Sequence, residues 1–276
     1  MEATRVAVII VTHNSEPYIG RCLDALSRSE VLPGQIILVD AGSDTPGYLD
    51  ALASYPHVQL IKAANIGFSR ANNLGYQVCL SSIEYVLFLN PDAFVTPQTL
   101  ARAVEIMERE PQAGCLTGRL LGYDITKDQP ACLLDSTGIF RTWYGRWYDR
   151  SQGEVDHGQF GQKEAIPAAC GAFMFCRRAA LADAALVDDT IFDPAFFMYK
   201  EDIELSLRLR ATGWRILYDP SVELYHCRGW QRQRQAMPFA QRQMAAANEV
   251  LLYRRHPSPY ILWALLKYLL VRLFAL

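Results

Sequence analysis

The chain has 276 residues, of which 51% are hydrophobic and 20% charged, a balance that excludes a disordered protein and supplies chain enough for one large cored domain or two small ones. Its formal net charge of −2 excludes a uniformly basic nucleic-acid binder, yet residues 1–199 carry 15 Lys and Arg against 23 Asp and Glu (net −8) while residues 200–276 carry 12 against 6 (net +6). The basic end has no interleaved aromatic-basic motif that would mark nucleic acid as its partner, and the apolar tail beside it points to an anionic membrane surface.

Residues 6–11 (VAVIIV) form a continuous apolar run, expected to be a buried first strand opening into a polar loop of Thr12, His13, Asn14 and Ser15. Ile19, Cys22, Leu23 and Leu26 recur at helical spacing and predict a helix over 18–27. A second strand over 35–39 ends in Asp40, Ala41, Gly42, Ser43 and Asp44, again delivering acid and hydroxyl groups at a carboxyl end. A short helix over 48–54 and a third strand over 58–61 follow. Residues 65–75 (NIGFSRANNLG) read as a loop entering a helix that continues to about Leu80. There Gly67 would permit close backbone approach, and the helix N-terminus with Arg70 would suit a diphosphate.

Residues 85–89 (YVLFL) are too short for a helix and read as a strand buried on both faces. Pro91 stops that strand and presents Asp92 at its carboxyl end. Asp92 is there either to cap the next helix, near 97–109, or to hold a hard cation such as Mg²⁺ or Mn²⁺. The strand–helix alternation argues for a largely parallel, doubly wound α/β sheet through about residue 110.

Periodicity is poor over 114–147, with strands expected over 115–121 and 133–140. Residues 141–150 are aromatic and basic, and Trp143 and Trp147 are candidates for a wall against an acceptor sugar or for packing on the sheet. Residues 153–161 read as a polar, glycine-rich loop and 168–176 as a small apolar strand. Phe196, Phe197 and Met198 form an apolar plug before Glu201, Asp202 and Glu204, acids that either complement a helix dipole or supply a general base, Glu201 being an acceptor-side candidate. Strands over 214–218 and 221–226 follow, the second ending in His226, a possible metal ligand. After a helix near 239–255, residues 260–276 are apolar but contain Lys267 and Arg272, marginal for a span and suited to a helix lying in a membrane interface. Docking on the protein's own core or on a second copy would hide the same residues.

Together these motifs resemble family 2 glycosyltransferases of the GT-A fold, in the rhamnosyltransferase-like branch. The agreement runs from Val6 to about His226 through VTHNS (11–15), VDAGSD (39–44), NIGFSRANNLG (65–75), NPD (90–92) and FFMYKEDIELSLR (196–208). The resemblance implies a mostly parallel, Rossmann-like sheet with helices on both faces, an acceptor-side subregion and a C-terminal amphipathic helix. It divides the chain into a nucleotide-sugar half (1–110), an acceptor and catalytic half of the same domain (111–235) and a helical tail (236–276). It further implies that Thr12, Asn14, Asp40 and Ser43 line the nucleotide pocket, and that Asn65, Gly67, Arg70 and Asn73 surround ribose and diphosphate. Asp92 matches the last acid of the family's Asp-x-Asp motif, with Asn90 in place of the first, and His226 matches a metal-ligating histidine. Asp202 matches the inverting base. The implied activity is transfer of rhamnose from dTDP-rhamnose to a lipid-linked glycan. The alternatives are a UDP-hexose donor, or a scaffold that binds nucleotide-sugar or membrane without catalysis. The seven cysteines contain no CxxC pair and no signal peptide opens the chain, which sets the expectation of a cytoplasmic protein at the inner face of the cell membrane.

Overall fold

The computed structural model describes residues 5–52, 55, 57–227 and 237–274. Residues 53 and 54 of the helix expected over 48–54, the expected 235/236 boundary and the last two residues of the tail lie outside the described residues.

The first half alternates as its apolar runs predict: β1 (Val6–Thr12), α1 (Glu16–Ser27), β2 (Gln35–Ala41), α2 (Tyr48–Leu52), β3 (Val58–Ala63), α3 (Phe68–Gln77) and β4 (Tyr85–Leu89). Strands β3, β2, β1 and β4 lie side by side and parallel. In register, Thr12 pairs with Asp40 and Ile10 with Leu89, so the polar ends of three strands finish on one edge. Every residue of β1, β2 and β4 is buried. Alternate side chains enter separate cores above and below, Val8 and Ile10 on one face and Ile9 and Val11 on the other. Helix α3 lies unusually close to the sheet, because a Cβ on Gly75 would stand 2.7 Å from Ile9 Cγ2.

The second half continues the sheet with β5 (Ala93–Val95), α4 (Thr99–Arg109), β6 (Ala113–Asp124), β7 (Gln129–Ser136), β8 (Ile139–Arg141), β9 (Trp147–Asp149), β10 (Glu164–Ala165), β11 (Phe173–Arg177), α5 (Arg178–Asp183), α6 (Glu201–Ala211) and β12 (Arg215–His226). The full ten-stranded sheet is ordered β10-β12-β6-β11-β4-β1-β2-β3, with β5 on β12 and β7 on β6. Beyond residue 110 the sheet becomes mixed: β11 runs antiparallel between β4 and β6. The strand expected over 133–140 is two, β7 and β8, separated by Gly138 at φ 108°. Conversely, the strands expected over 214–218 and 221–226 are one, β12, whose register against β6 shifts between Tyr218 and Glu223, where Pro220 cannot donate to the ladder.

Two helices, α7 (Phe239–Arg255) and α8 (Ile261–Phe274), close the chain. They share a third core with the β8–β9 hairpin and α6, built from Ile139, Trp147, Phe196, Ile203, Leu252, Tyr253 and Ala264.

Candidate active site

At the carboxyl edge of β1 and β2, Asn14 and residues 43–44 lock together. Asn14 N donates to Ser43 Oγ (2.9 Å), Asn14 Nδ2 to Asp44 Oδ2 (2.7 Å), and Asp44 N returns a bond to Asn14 Oδ1 (2.8 Å). The reciprocal bonds hold Asn14 at φ 52°, a region asparagine tolerates better than most residues. Ser43 Oγ donates to the buried Asp40 carboxylate (2.5 Å), and the buried Thr12 hydroxyl meets Tyr48 Oη at 3.2 Å. The four expected nucleotide-pocket residues therefore sit together on one ledge.

The loop before α3 differs from expectation at two positions. Gly67, at φ 82°, faces protein: a Cβ there would lie 2.6 Å from Phe197 Cδ2, and Phe68 N donates to Phe197 O at 2.7 Å. Close approach is needed, but by the segment preceding α6 rather than by a phosphate. Asn73 is likewise engaged by backbone, its Nδ2 donating to Phe192 O (2.8 Å) and its Oδ1 accepting from Phe192 N (2.8 Å) and Ile191 N (3.2 Å). It ties α3 to the 191–192 backbone. Asn65 and Arg70 are exposed.

Beyond β4, Asp92 and His226 are each 5% exposed, and His226 Nε2 lies 3.3 Å from Asp92 Oδ1. Strand β5, which periodicity did not reveal, makes the meeting: it pairs antiparallel with β12 so that His226 sits opposite Ala93. The other imidazole nitrogen, Nδ1, donates to Asp135 Oδ2 of β7 at 2.7 Å. Burial opposes the imidazolium, but Asp92 and Asp135 prevail and hold its pKa up at about 10. Asn90 Nδ2 lies 3.4 Å from His226 Nε2. Sequence reasoning missed Asp135, whose one signal was a carboxylate inside an otherwise burying strand end, LLDS.

These donors fit a divalent cation. A carboxylate and an imidazole face one another, and the imidazole is oriented by a carboxylate on its far nitrogen, as metal-bound histidines commonly are. Among the described residues no group of three His, Cys, Asp or Glu could hold a metal alone. Two protein ligands leave positions for substrate oxygens and water, the usual arrangement for Mg²⁺.

Asp202 opens α6 from the opposite side. Its Oδ2 accepts from Gly171 N (3.0 Å) and its Oδ1 from Ile203 N (2.8 Å). The next residue, Ala172, accepts from Asn90 N at 3.1 Å, so residues 171–172 bridge the end of β4 to the start of α6. Burial is the largest influence on the Asp202 carboxyl and raises its pKa; Lys200 opposes this and Asp149 reinforces it. Glu201 is buried, with Oε2 accepting no hydrogen bond, and its pKa is pushed up to about 8, first by burial and then by Asp202. It lies beneath the surface rather than on an acceptor-facing rim. The turn into α6 is strained, Tyr199 and Lys200 both having φ 75°, and α7 holds it: Asn248 Nδ2 donates to Met198 O (2.8 Å) and Tyr199 O (3.0 Å). The two tryptophans part company. Trp147 is 2% exposed and offers no face to a sugar, whereas Trp143 is 86% exposed.

A mostly parallel sheet with polar strand ends gathered at one edge, followed by a mixed extension and covering helices, is the GT-A glycosyltransferase fold. Residues 7–184 match the model of glycosyl transferase family 2, and the chain belongs to that family. Asp202 and His226 lie beyond the matched segment. Over 238 residues the chain is 27% identical to an N-acetylglucosaminyl-diphospho-decaprenol L-rhamnosyltransferase of Mycobacterium tuberculosis, covering 79% of this chain and 75% of the relative. It is 26% identical to the rhamnosyltransferase WbbL of Escherichia coli K12, covering 80% and 83%. Among solved structures, GalNAc-T7 with UDP, GalNAc and Mn²⁺ aligns with a TM-score of 0.67 at 14% identity, over 98% of this chain and 56% of that one. The mannosyltransferase PcManGT of Pyrobaculum calidifontis, in complex with GDP-Man and Mn²⁺, aligns at 0.61 and 18%, over 98% and 70%. The chain thus spans little more than half the length of GalNAc-T7. The structural likenesses carry the fold.

Proposed function

We propose that this chain is an inverting glycosyltransferase that moves rhamnose from dTDP-rhamnose onto a lipid-linked glycan during cell-surface polysaccharide synthesis. The observation that carries the reading is the bridge at residues 171–172, which ties the strand end bearing Asp92 to the helix bearing Asp202. Thr12, Asn14, Asp40 and Ser43 would hold the nucleotide, with Asn65 and Arg70 toward the diphosphate. Asp92 and His226 would hold Mg²⁺ or Mn²⁺, which when bound supplies positive charge to the departing diphosphate without a proton donor. Asp202 takes the proton of an acceptor hydroxyl as its oxygen bonds to the anomeric carbon from the face opposite the phosphate. The carbon–phosphate-oxygen bond breaks, its electron pair leaves with the nucleoside diphosphate, and the anomeric centre inverts.

Two curated relatives support the rhamnosyl donor, and the mycobacterial one, named for N-acetylglucosaminyl-diphospho-decaprenol, supports a lipid-linked acceptor. A UDP-hexose donor is the second reading, favoured by the alignment to TarS of S. aureus in complex with UDP-GlcNAc (TM-score 0.57). An acceptor of that kind would put the enzyme at the inner face of the cell membrane, and the basic, apolar composition of the 236–276 tail supports peripheral contact there. No helix among the described residues is long and apolar enough to cross a membrane. Thermal unfolding with a panel of nucleotide-sugars tests the donor, because ligands of the native state raise its Tm. A rise selective for dTDP-rhamnose and lost with chelator supports the proposal; a rise selective for a UDP-sugar moves it to the second reading. Silence across the panel, with and without metal, overturns it.

A further inference from the structure

We propose that α8 and the tip of the β8–β9 hairpin form one docking surface for an anionic lipid bilayer, which deepens the membrane contact suggested above and gives Trp143 a role other than sugar binding. Helix α8 packs on α7 through Ala264 and Val271, which are 0% and 6% exposed. Its other face is a stripe of leucines: Leu262, Leu265, Leu266, Leu269 and Leu273 are 72%, 38%, 50%, 51% and 70% exposed, with Phe274 at 65%. Their spacing keeps them on one side of the helix, and so large an exposed apolar face in a folded protein marks a contact surface.

The hairpin extends this surface. Trp143 packs edge-on to Tyr144 at 5.4 Å between ring centroids, and Tyr144 edge-on to Trp263 of α8 at 4.8 Å. A tryptophan 86% exposed beside a leucine stripe, with a tyrosine and a second tryptophan behind it, is the aromatic composition that settles at a lipid–water boundary.

Charge selects the occupant. Across residues 237–274 the only carboxylate is Glu249, which is fully buried and bridged by Lys267, whereas Arg254 and Arg272 are exposed. Arg255 is exposed too but engaged with Asp193 (2.7 Å). Residues 139–148 hold Arg141 and Arg146 and no acid. A leucine face on elements that carry exposed cations and no exposed carboxylate complements anionic headgroups. A second copy docked on the same stripe would bring like charges together with no acid to answer them. Over the described residues α8 has 14 residues, about 21 Å, and its apolar run is interrupted by Lys267 and Arg272, which suits a helix lying in the plane of the membrane.

Flotation of the full chain with vesicles tests this. Expected is binding to phosphatidylcholine–phosphatidylglycerol vesicles that weakens with salt and is poor on phosphatidylcholine alone, falling about tenfold or more in Leu265→Ser/Leu269→Ser and in Trp143→Ala. Both variants should keep the wild-type nucleotide-sugar response, which separates loss of docking from loss of the transferase site. Failure of the wild-type protein to float with anionic vesicles while it still answers nucleotide-sugar overturns the proposal and leaves the transferase reading standing. Sedimentation showing a stable dimer that Leu265→Ser/Leu269→Ser dissociates, with no vesicle binding, overturns it in favour of a second copy.

Discussion

His226 and Asp135 meet at 2.7 Å across 91 positions of sequence, the imidazole Nδ1 donating to the carboxylate and leaving Nε2 facing Asp92. Removing the acceptor charge frees the ring to rotate and weakens Nε2 as a donor. Asp135→Asn is therefore expected to lower Mn²⁺ affinity about 10- to 100-fold, the usual cost of losing a partner behind a metal-bound histidine. Titration calorimetry with Mn²⁺ in the presence of nucleoside diphosphate measures this. Unchanged affinity would show that Asp135 is only a packing partner.

Asp202 combines a raised pKa with two backbone donors that fix its orientation. As the proposed base it works deprotonated, so kcat/KM is expected to rise with pH along a limb above the ordinary carboxylate range. Asp202→Asn keeps the side-chain shape but leaves one acceptor oxygen for two backbone donors and cannot take the proton, and kcat should fall by about 10²–10⁴ with the nucleotide-sugar thermal shift preserved. A variant as active as the parent would remove Asp202 from the role of base.

How much of this was legible in the sequence follows from the range of each interaction. β1, β2 and β4 could be read because strands buried on both faces are continuous apolar runs, and their abrupt polar ends gave Asp40 and Asp92. The plug and the helix after it marked Glu201, Asp202 and Glu204 together, and only the family resemblance singled out Asp202. Local periodicity says nothing of which strand lies beside which, so β5 on β12 and the antiparallel β11 were out of reach. The same limit applies to side chains whose partners are remote. Gly67 and Asn73 look like ligand contacts until Phe197 and Phe192 fold onto them, and Trp147 looks like a sugar wall until α7 and α8 cover it.

Asn248 reaches from α7 to the carbonyls of Met198 and Tyr199, at the entry to the two residues, Tyr199 and Lys200, held at φ 75°. Left-handed backbone at non-glycine residues persists only where surrounding structure enforces it. Asn248→Ala is expected to destabilise the fold by about 1–2 kcal/mol by leaving two half-buried carbonyls short of a donor, and to lower kcat more than it raises donor KM because Asp202 loses its fixed entry. Urea unfolding beside steady-state kinetics measures both. Lost stability with unchanged kcat would confine Asn248 to packing.

Glu201 gives a pH signature of stability. Its carboxyl titrates at about 8 in the native protein against 4.5 for the ordinary group, so between those values the folded state binds the proton and the unfolded state does not. Stability depends on pH through the difference in protons bound, and here the sign is negative: the contribution is complete below pH 4.5 and is lost as pH rises toward 8. Asp202, also raised by burial, acts in the same direction, so the decline belongs to the pair. Glu201→Gln keeps the shape, needs no proton and removes the charge that would develop beside Asp202 as pH approaches 8. The variant is expected to match the parent at low pH and to exceed it increasingly toward pH 8, with a flatter dependence of Tm on pH. A Tm difference that stays constant across the range would mean that Glu201 is ionised in the native protein, with its charge answered by a group other than a proton.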